Sequence, residues 1–426
     1  MVTRRRVVIT GLGVISSIGI GREEFWKSLL EGHSGISRIQ RFDTSQYDVH
    51  MGGEVTKFEP GDFFDKKETR RLGRAAQFAI ASVKLALQDA RLSLEEVSGP
   101  HTSLCLGTTM ADIQALEAAD DFVNSQGEFS SPTIRRYALQ YPGFMIAAQV
   151  ASIFHLKGKV FMIPTACAAG NYAIAYGSDL IRFGKSDLAL AGGVDPFSRI
   201  AFTGFSRIFA VAPERCQPFD KHRKGTIVGE GAGILVLESL EHALNRKASI
   251  YAEVLGYGTS CDAHHMTIPN VKGIVRVIQN ALVDARISSD EVDYISAHGT
   301  GTPANDRAEC SAITEVFGNR SQRIPISSIK SMLGHTMGAA SALEAISCAL
   351  AIQSSYIPPT INYETPDPEC AINCVPNHAL ASPVDIALNN SFAFGGNNAC
   401  VVLGKVHPSD RSKSHSEDGL KNGRQK

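Results

Sequence analysis

The sequence predicts an α/β protein made of two similar halves. Short apolar runs rich in Val and Ile alternate with amphipathic helical patterns along the 426 residues, which is typical of α/β folds. The helix-end pattern over 87–97 recurs over 282–292, and the strand pattern over 187–190 recurs over 385–388. The two offsets, 195 and 198 residues, nearly agree, so the repeats indicate a duplicated α/β unit.

The duplication determines the predicted domain organisation. We expect one half over 1–250 and a second over 251–406, with their sheets side by side and helices between and outside them. In both copies a strand and a Gly-Thr turn follow the helix, at Gly107 and at Gly299. Equivalent loops should therefore converge at strand ends, where active sites commonly lie. The segment 407–426 is rich in Ser, Lys, Asp and Gly, and we expect it to be a disordered tail.

The individual elements of the first half follow from apolar periodicity and from the positions of Gly and Pro. The predicted strands are 6–10, 103–106, 160–163, 188–191 and 233–238. The predicted helices are 22–31, 70–90, 142–154 and 171–182. We also expect a glycine turn at 11–13 and a polar loop over 214–226.

Composition excludes several functional classes. The formal net charge is −1, so no global field attracts nucleic acid or an anionic membrane. The nine cysteines are scattered without metal-ligand spacing, which predicts reduced thiols in the cytoplasm. The N-terminal arginines lead directly into a strand, without the apolar region of a signal peptide. We find no apolar run of membrane-spanning length.

The most informative stretch is 160–172, in which an apolar strand turns sharply into a helix at Cys167. A thiol at a helix N-terminus is expected to favour the thiolate, and such a turn leaves a backbone N–H free to face an oxyanion. The small residues from 166 to 170 leave room for a substrate. A lone Cys is more often a buried structural residue, so this interpretation depends on the rest of the chain.

Three further polar clusters lie at strand-to-turn junctions of the second half. His298 is followed by a turn rich in Gly and Thr, 328–340 supplies Lys330 and His335, and 389–398 is a strand end that breaks into a glycine turn. Each His alone is more often a structural residue, and the Lys alone is more often a surface charge. Four such clusters at junctions of this kind are hard to explain by structure alone.

The motifs appear in a characteristic order: TACAAG at Cys167, HGTGT at His298, GH at His335 and SFAFGG at Phe392. In this order they resemble the β-ketoacyl-acyl-carrier-protein synthases of the thiolase superfamily. The chain looks most like the elongating type II branch of fatty-acid synthesis and its polyketide relatives, from about residue 5 to residue 405. The resemblance implies a thiolase fold of five alternating layers, αβαβα. It also implies a tight dimer, either a homodimer or a heterodimer with a homologous chain-length partner.

The resemblance also implies a mechanism of acyl transfer and condensation. Cys167 would accept an acyl group from a thioester, and the N–H groups of Cys167 and Phe394 would hold the tetrahedral oxyanion. Neutral imidazoles at His298 and His335 would donate hydrogen bonds through Nε2 to the malonyl-like extender as CO2 leaves. The resulting enolate would attack the acyl-Cys and extend the chain by two carbons.

Lys330 is expected to support the histidines. Because a buried Lys needs a partner, we expect it to pair with Asp306 or Glu309, and Glu344 is a further supporting carboxylate. We expect no metal and no organic cofactor in the chemistry, because the substrates arrive on the phosphopantetheine of an acyl carrier protein. The sequence leaves a bound structural cation open.

Substrate contacts also follow from the resemblance. Thr300 and Thr302 resemble the hydroxyls that contact the phosphopantetheine arm, and we expect Met110, Phe205 and Phe392 to contact the acyl substrate. The acidic carrier requires a basic patch, although a cluster of basic residues is also common on a solvated surface. The candidates for carrier docking are Lys66, Lys67, Arg70, Arg71, Arg74 and Arg207.

The chain departs from the usual family pattern at several positions. Ala393 and Ser341 stand where Gly is common, Asn397 stands where Thr is common, and the elbow lacks hydroxyl residues after Cys167. No catalytic group is removed. These positions line or support the acyl pocket and its gate, so fatty-acid and polyketide synthesis both remain open.

Two other functions compete with condensation. A decarboxylase or a chain-length partner without its own turnover shares the fold, but such proteins usually lack the Cys, and Cys167 is present. A thiolase would need a second catalytic Cys near the C-terminal glycine turn. Cys400 lies beyond Asn398, off that turn, which weakens the thiolase hypothesis.

Overall fold

The computed structural model describes residues 4–126 and 130–407. Its strands are β1 (Val7–Ser16), β2 (Gly19–Ile20), β3 (Ser37–Arg38), β4 (Met51–Gly52), β5 (Thr102–Gly107), β6 (Val160–Ile163), β7 (Leu188–Asp195), β8 (Gly231–Ser239), β9 (Ala252–Cys261), β10 (Tyr294–Ser296), β11 (Ile326–Ser327), β12 (Tyr356–Ile357), β13 (Leu380–Ala381), β14 (Ile386–Phe392) and β15 (Asn397–Gly404). Its helices are α1 (Arg22–Leu30), α2 (Lys66–Arg71), α3 (Arg74–Ala90), α4 (Leu94–Val97), α5 (Ile113–Gln126), α6 (Pro132–Gln140), α7 (Gly143–Ile153), α8 (Ala169–Arg182), α9 (Arg199–Arg207), α10 (Leu240–Asn245), α11 (Val271–Ala285), α12 (Pro303–Phe317), α13 (Lys330–Leu333) and α14 (Ala340–Ser354). Apart from His407, the predicted disordered tail lies outside the described residues.

Both halves contribute to one mixed sheet and wind their strands in the same order. The sheet runs β11-β10-β14-β15-β9-β1-β8-β7-β5-β6. Read outward from the central β1–β9 pair, the first half is β1-β8-β7-β5-β6 and the second is β9-β15-β14-β10-β11. Strand β5 is parallel to β6 and β7, and its counterpart β10 is parallel to β11 and β14, while the remaining neighbours in this order are antiparallel. The predicted duplication is confirmed.

The repeated sequence pattern is also a repeated helix ending. Helices α3 and α11 end at arginines in the left-handed conformation, Arg91 with φ 56° and Arg286 with φ 58°. Two residues later Ser93 and Ser288 each begin a capping box with a glutamate three residues on. The chain therefore reverses direction in the same way in both halves before entering β5 and β10.

The helices form layers around the strands. Helices α8 and α14 pack against each other, and each also contacts strands of both halves, so they form the central layer. Helices α3 and α7 cover the outer side of the first half, and α11 and α12 cover that of the second. The two halves of the sheet form the two β layers on either side of the central helices, which gives the predicted αβαβα arrangement. The loops that follow equivalent strands meet beside the central helix pair.

The glycine turn predicted at 11–13 is wrong, because β1 continues through it to Ser16. Gly11 and Gly13 serve a different purpose, which is to let α3 pass close to the strand. A Cβ on Gly13 would lie 1.8 Å from the carbonyl oxygen of Ser82. These glycines reflect the close approach of a helix that begins some sixty residues later in the chain.

The single helix predicted over 70–90 is also wrong, because the structure has two helices there. Helix α2 ends at Arg71, the next residue is extended, and α3 begins at Arg74. The buried carboxylate of Asp112 accepts the backbone N–H groups of Ala75 at 2.6 Å and Ala76 at 3.3 Å. These bonds satisfy free donors of the α3 N-terminus, so a side chain distant in sequence determines where the helix starts.

Among the described residues, one segment, Met337–Ser354, is long and apolar enough to cross a membrane by length and composition alone. The sequence-based expectation that no such run exists is therefore corrected. In the structure 89% of this segment is buried inside the protein. It contains α14, whose apolar character is explained by its place in the central layer.

Candidate active site

Cys167 lies at a sharp turn between β6 and α8. Ala166 has φ 51°, a left-handed conformation that is unfavourable for a residue with a side chain. A short 3-10 turn, Ala166–Ala168, leads into α8, which begins at Ala169. The Oγ of Ser391 donates to the carbonyl oxygen of Cys167 at 3.0 Å and so holds the turn. The turn places the thiol in the interior, where Cys167 is 5% exposed.

Burial raises the pKa of the Cys167 thiol to about 11. Lys330 and the backbone N–H groups of Phe394 and Cys167 act in the opposite direction and lower this pKa, whereas Asp195 raises it. The prediction that the position at the helix N-terminus makes the thiolate the favoured form is therefore wrong. Removal of the sulfur from water disfavours the charged form more than the surrounding donors stabilise it. Both N–H groups nevertheless face the sulfur.

His335 presents a hydrogen-bond donor to the sulfur. Its Nε2 lies 3.0 Å from the Sγ of Cys167. On the other side of the ring, the backbone N–H of Met337 donates to Nδ1 at 3.2 Å. Because Nδ1 accepts, the hydrogen-bond network assigns the proton of the neutral ring to Nε2. Burial, and then the charge of Lys330, lower the pKa of His335 well below its usual value, so the ring stays neutral near pH 7.

Lys330 assigns the same tautomer to His298. Its Nζ lies 3.3 Å from Nδ1 of His298, and an ammonium group can only donate, so Nδ1 accepts. The same Nζ donates to the His298 carbonyl oxygen at 2.7 Å and to Glu344 Oε1, so all three ammonium protons are used. Burial, and then the charge of Lys330, lower the pKa of His298 well below its usual value. His298 therefore also offers Nε2–H as a donor.

Lys330 pairs with Glu344, and the expected pairing with Asp306 or Glu309 is wrong. Lys330 and Glu344 are each 1% exposed. Glu309 instead accepts the backbone N–H groups of His298 and of the next residue, both at 2.8 Å. Asp306 accepts a backbone N–H from the same glycine-rich turn at 3.2 Å. The two carboxylates thus hold the backbone that carries His298 and leave its ring to Lys330.

The reactive atoms of Cys167, His298 and His335 all lie within 4.8 Å of one another, a spacing that would also suit a metal ion. The hydrogen bonds argue for a different use. A metal-binding imidazole offers a lone pair to the ion and donates its other N–H outward. Here both Nδ1 atoms accept hydrogen bonds and both Nε2 atoms carry protons. The site is arranged to donate two hydrogen bonds beside a sulfur.

The site opens into a small cavity of about 60 Å³. Thr300 and Thr302 line it, with their hydroxyl oxygens 2.9 Å apart. Phe392 also lines it, and Phe394 stacks on Phe205 with ring centroids 5.5 Å apart. This volume is well below the roughly 300–1,000 Å³ of pockets that hold small-molecule ligands. An acyl group can therefore enter only if part of this lining moves.

Met110 lines a different cavity, of about 500 Å³, formed with residues 141–144 and Met162. Met110 does not line the cavity at Cys167, so its predicted contact with the acyl group stays a prediction. Met110 and Phe205 pack against the same buried cluster, so that cluster connects the walls of the two cavities.

Asp195, which nothing in the local sequence marks as a site residue, connects the Met110 turn to the His335 turn. Its buried carboxylate, at the end of β7, accepts the backbone N–H of Met110 at 3.0 Å and that of Gly338 at 2.6 Å. Gly338 directly follows the residue whose N–H bonds to His335 Nδ1. The available signal was an acidic residue after Ala-Gly-Gly-Val at a strand end, which is not distinctive without the fold.

The carrier-docking prediction for Arg74 is wrong. The Arg74 side chain is 14% exposed, and its Nε and Nη2 donate to Glu230 at 2.8 and 2.7 Å. It also stacks on Phe78, because the first turn of α3 faces inward. The other candidates are exposed at the surface: Lys66, Lys67, Arg70 and Arg71 on α2, and Arg207 at the end of α9.

Fold and site together define a class of protein: a duplicated αβαβα structure whose strand-to-helix elbow presents a Cys to two neutral histidine donors. Residues 4–243 match the family described as "Beta-ketoacyl synthase, N-terminal domain". Residues 251–364 match "Beta-ketoacyl synthase, C-terminal domain". The chain therefore belongs to the β-ketoacyl synthase family, and the recognition made from its motifs is confirmed.

Curated relatives match over nearly their whole length. The 3-oxoacyl-[acyl-carrier-protein] synthase 2 of Synechocystis sp. is 38% identical over 94% of this chain and 98% of that protein. The protein of the same name from Coxiella burnetii is 39% identical over 95% of this chain and 99% of that protein.

Solved structures extend the comparison to polyketide enzymes. The ishigamide ketosynthase/chain length factor matches with TM-score 0.91 and 46% identity, over 95% of this chain and all of that chain. A type II PKS ketosynthase in complex with its acyl-carrier protein matches with TM-score 0.86 and 34% identity, over the same shares. A β-ketoacyl synthase from Burkholderia phymatum matches with TM-score 0.87 and 33% identity, again over the same shares. The predicted thiolase fold is confirmed.

Proposed function

We propose that this protein catalyses the decarboxylative Claisen condensation of an acyl thioester with malonyl-acyl carrier protein. The observation that carries the proposal is the convergence of five groups in one buried site. The sulfur of Cys167 meets the Nε2–H donors of His298 and His335 and the backbone N–H groups of Cys167 and Phe394. A site of this kind accepts an acyl group and also stabilises negative charge on an oxygen.

The first step is acyl transfer to Cys167. The sulfur attacks the carbonyl carbon of the acyl-carrier thioester, and the N–H groups of Cys167 and Phe394 hold the resulting oxyanion. The bond to the pantetheine sulfur then breaks, and the proton of the Cys167 thiol ends on the departing pantetheine thiol. Because the pKa of Cys167 is raised, the donors that face the sulfur are needed to stabilise the thiolate as it attacks.

The second step is decarboxylation and condensation. The extender's thioester carbonyl accepts hydrogen bonds from Nε2–H of His298 and His335, so these donors stabilise the enolate that forms when CO2 leaves. The enolate carbon attacks the acyl-Cys167 carbonyl, the C–S bond breaks, and the thiolate is regenerated. The product is a β-ketoacyl thioester two carbons longer than the primer. Lys330 orients the His298 ring through Nδ1, and burial together with the charge of Lys330 keeps both rings neutral.

The structure weakens the competing functions. A thiolase would need a second Cys in the site, but Cys400 is fully buried in β15 and pairs with Gly258. A chain-length partner without turnover does not need an acyl acceptor, yet here Cys167 meets the complete donor set. Condensation uses every one of these groups.

We propose that an acyl carrier protein docks on the exposed basic residues of α2 together with Arg207. Its acidic surface complements this charge, and the matched type II PKS structure pairs a ketosynthase with its acyl-carrier protein. The phosphopantetheine arm would then pass the hydroxyls of Thr300 and Thr302. No further cofactor is needed for the steps above.

Exchange of Arg70 and Arg71 for Glu should raise the KM for carrier-bound substrate by about tenfold. Turnover of a small pantetheine thioester, which does not touch this surface, should be unaffected. The control pair Lys247→Glu and Arg323→Glu makes the same charge change at other exposed positions. Equal effects on carrier-bound and free thioesters would show that α2 is not the docking surface.

We propose a dimer formed through the β6 edge of the sheet. Among the described residues β6 pairs only with β5, so one side of the strand is free. Phe144 on α7 and Tyr176 on α8 expose apolar surface on helices that contact β6. Leu139 does the same on α6, which packs against α7. A free strand edge with exposed apolar side chains favours pairing with another chain. The partner is a second copy of this chain or a homologous chain, as in the ketosynthase/chain length factor structure.

We propose that the protein acts in fatty-acid or polyketide elongation. Identity is 34% to the type II PKS ketosynthase, and 38% and 39% to the 3-oxoacyl-[acyl-carrier-protein] synthases 2 described above. The altered residues near the gate, Ser341 and Ala393, are consistent with a specialised substrate. All nine cysteines are free thiols, which fits a reducing compartment, and we propose the cytoplasm.

Ala393→Gly should loosen the gate formed by Phe394. Gly395 and Gly396 already have φ 83° and 79°, whereas Ala393 has an extended conformation with φ −106°. A Gly at 393 adds backbone freedom on the other side of the Phe, worth about 1 kcal/mol. Decarboxylation of malonyl carrier without an acyl primer should therefore rise, and discrimination between acyl chain lengths should fall.

The measurement is loss of malonyl carrier with and without primer. Unchanged uncoupled decarboxylation in Ala393→Gly would show that residue 393 does not limit movement of the turn.

The proposed function is tested with purified protein, acyl carriers of several chain lengths and malonyl carrier. We expect CO2 release matched by a β-ketoacyl carrier two carbons longer than the primer, detected by mass spectrometry. Release of CO2 without any longer product would indicate a decarboxylase and contradict the proposal.

A further inference from the structure

A buried polar cluster connects three elements of the active site, and the mechanism above does not use it. Asn171, Ser341 and Asn389 are all fully buried. The Nδ2 of Asn389 donates to Asn171 Oδ1 at 2.8 Å and to the Ser341 carbonyl oxygen at 2.7 Å. In return, Asn171 Nδ2 donates to the Asn389 carbonyl oxygen at 3.0 Å, and the Asn171 backbone N–H donates to Ser341 Oγ at 3.0 Å.

Each member lies on a different element of the site. Asn171 is in the first turn of α8, directly behind the Cys167 turn. Ser341 is on α14, one turn before Glu344, the partner of the active-site lysine. Asn389 is on β14, which leads into the glycine turn that supplies an oxyanion N–H. The cluster thus joins the nucleophile helix to the two elements that support its surroundings.

The hydrogen bonds lie where two helices approach backbone to backbone. A Cβ on Gly170 would lie 2.7 Å from the backbone nitrogen of Ala342, so α8 and α14 have no side-chain layer between them at this point. Apolar packing is not directional and fixes the sliding of one helix along another only weakly. Directional hydrogen bonds fix one register, and buried polar groups without partners would destabilise the others.

We propose that Asn171, Ser341 and Asn389 are positioning residues for Cys167. They fix the depth and register of α8, so that the sulfur stays within reach of Nε2–H of His335 and of the oxyanion N–H groups. The Ser341 hydroxyl accepts an N–H of the first turn of α8, which is free of intrahelical partners, and so holds the helix end itself. This inference rests on the proposed condensing function.

The test uses Asn171→Val and Asn389→Val, singly and together, in the full chain. Acylation of Cys167 by acyl carrier is followed by intact-protein mass spectrometry over a range of substrate concentrations, and Tm is measured in parallel. Each single change should lower Tm, because it leaves buried polar groups of the other Asn unpaired. The double change replaces both amides by apolar side chains and should recover much of the Tm.

Positioning predicts that activity does not recover with stability. The maximal acylation rate of the double variant should stay about 10- to 100-fold below that of the unmodified protein, because small displacements of a nucleophile have effects of this size. The KM for acyl carrier should not change, because the docking surface is intact. A double variant that recovers both Tm and acylation rate would overturn the proposal, since the cluster would then serve stability alone.

Helix α14 offers a matched control for Ser341. The Ser347 hydroxyl is also buried on this helix but has no hydrogen-bond partner among the described residues. Ser341→Ala should slow acylation, whereas Ser347→Ala should not. Equal rates in the two variants would contradict a role for the Ser341 hydroxyl. If the unmodified protein were not acylated at all, the proposed function would fail, an outcome distinct from failure of the positioning role.

Discussion

We expect Cys167→Ala to abolish acyl transfer and condensation, a loss of at least about 10⁴-fold. The reason is that no other thiol among the nine free cysteines lies between two histidine donors. Decarboxylation of the extender should survive, because His298 and His335 remain. The measurements are the mass of the protein after incubation with acyl carrier, the yield of β-ketoacyl product and the release of CO2.

Two variants control this experiment. Cys167→Ser should also fail, because a serine hydroxyl forms little alkoxide at neutral pH. Cys261→Ala removes an exposed thiol and should leave condensation intact. Normal condensation by Cys167→Ala would contradict the assignment of this residue as the acyl acceptor.

His335→Ala and His298→Ala should each reduce condensation by about 10² to 10³, the usual effect of removing one oxyanion donor. Acylation of Cys167 should fall less than condensation in both variants, and it should fall more in His335→Ala than in His298→Ala, because Nε2–H of His335 donates to the sulfur. The reason is the tautomer, since Nδ1 of each ring accepts a hydrogen bond and Nε2 carries the proton. A ring in that state can donate to an enolate oxygen but cannot take the thiol proton.

Glutamine variants separate a donor from a base. The amide nitrogen of Gln can take the place of Nε2–H as a donor, but an amide cannot accept a proton at neutral pH. His335→Gln should therefore recover part of the condensation lost in His335→Ala. Single-turnover acylation and condensation are measured separately for each variant. If His335→Ala acylated as slowly as it condensed and Gln gave no recovery, His335 would act as the base for Cys167.

The groups that carry the proposed chemistry could be predicted from the sequence because each lies in a short local motif. Cys167 and His298 follow strands β6 and β10 and lie at small-residue or glycine-rich turns, whereas His335 follows the short helix α13 and precedes a small-residue turn. The duplication of the α/β unit could also be predicted, because the same helix-ending sequence occurs at Arg91 and at Arg286.

What the sequence could not predict depends on contacts between distant segments. Lys330 pairs with Glu344 because α14 passes behind the site, and nothing in the local pattern distinguishes Glu344 from Glu309. Arg74 faces inward because Asp112, which lies beyond the next strand, determines where α3 begins. Gly11 and Gly13 locally predict a turn, because the helix that passes over them is distant in sequence.

The ionisation of Cys167 differs from the sequence-based prediction for a similar reason. A helix N-terminus is a local feature that can be recognised in the sequence, whereas burial is a property of the whole fold. In the structure burial is the larger effect, and the pKa of the thiol is raised to about 11. The charge of Lys330, which lowers this pKa, acts on the sulfur only once the distant segments are assembled.

The most direct test of the account is a chase of the acyl-enzyme. The protein is acylated with one equivalent of acyl carrier, the acyl group is located by peptide mass spectrometry, and malonyl carrier is then added. The account predicts a single acyl group on Cys167, which disappears at the rate at which the β-ketoacyl product forms. An acyl group on another residue, or product formation while acyl-Cys167 persists, would contradict it.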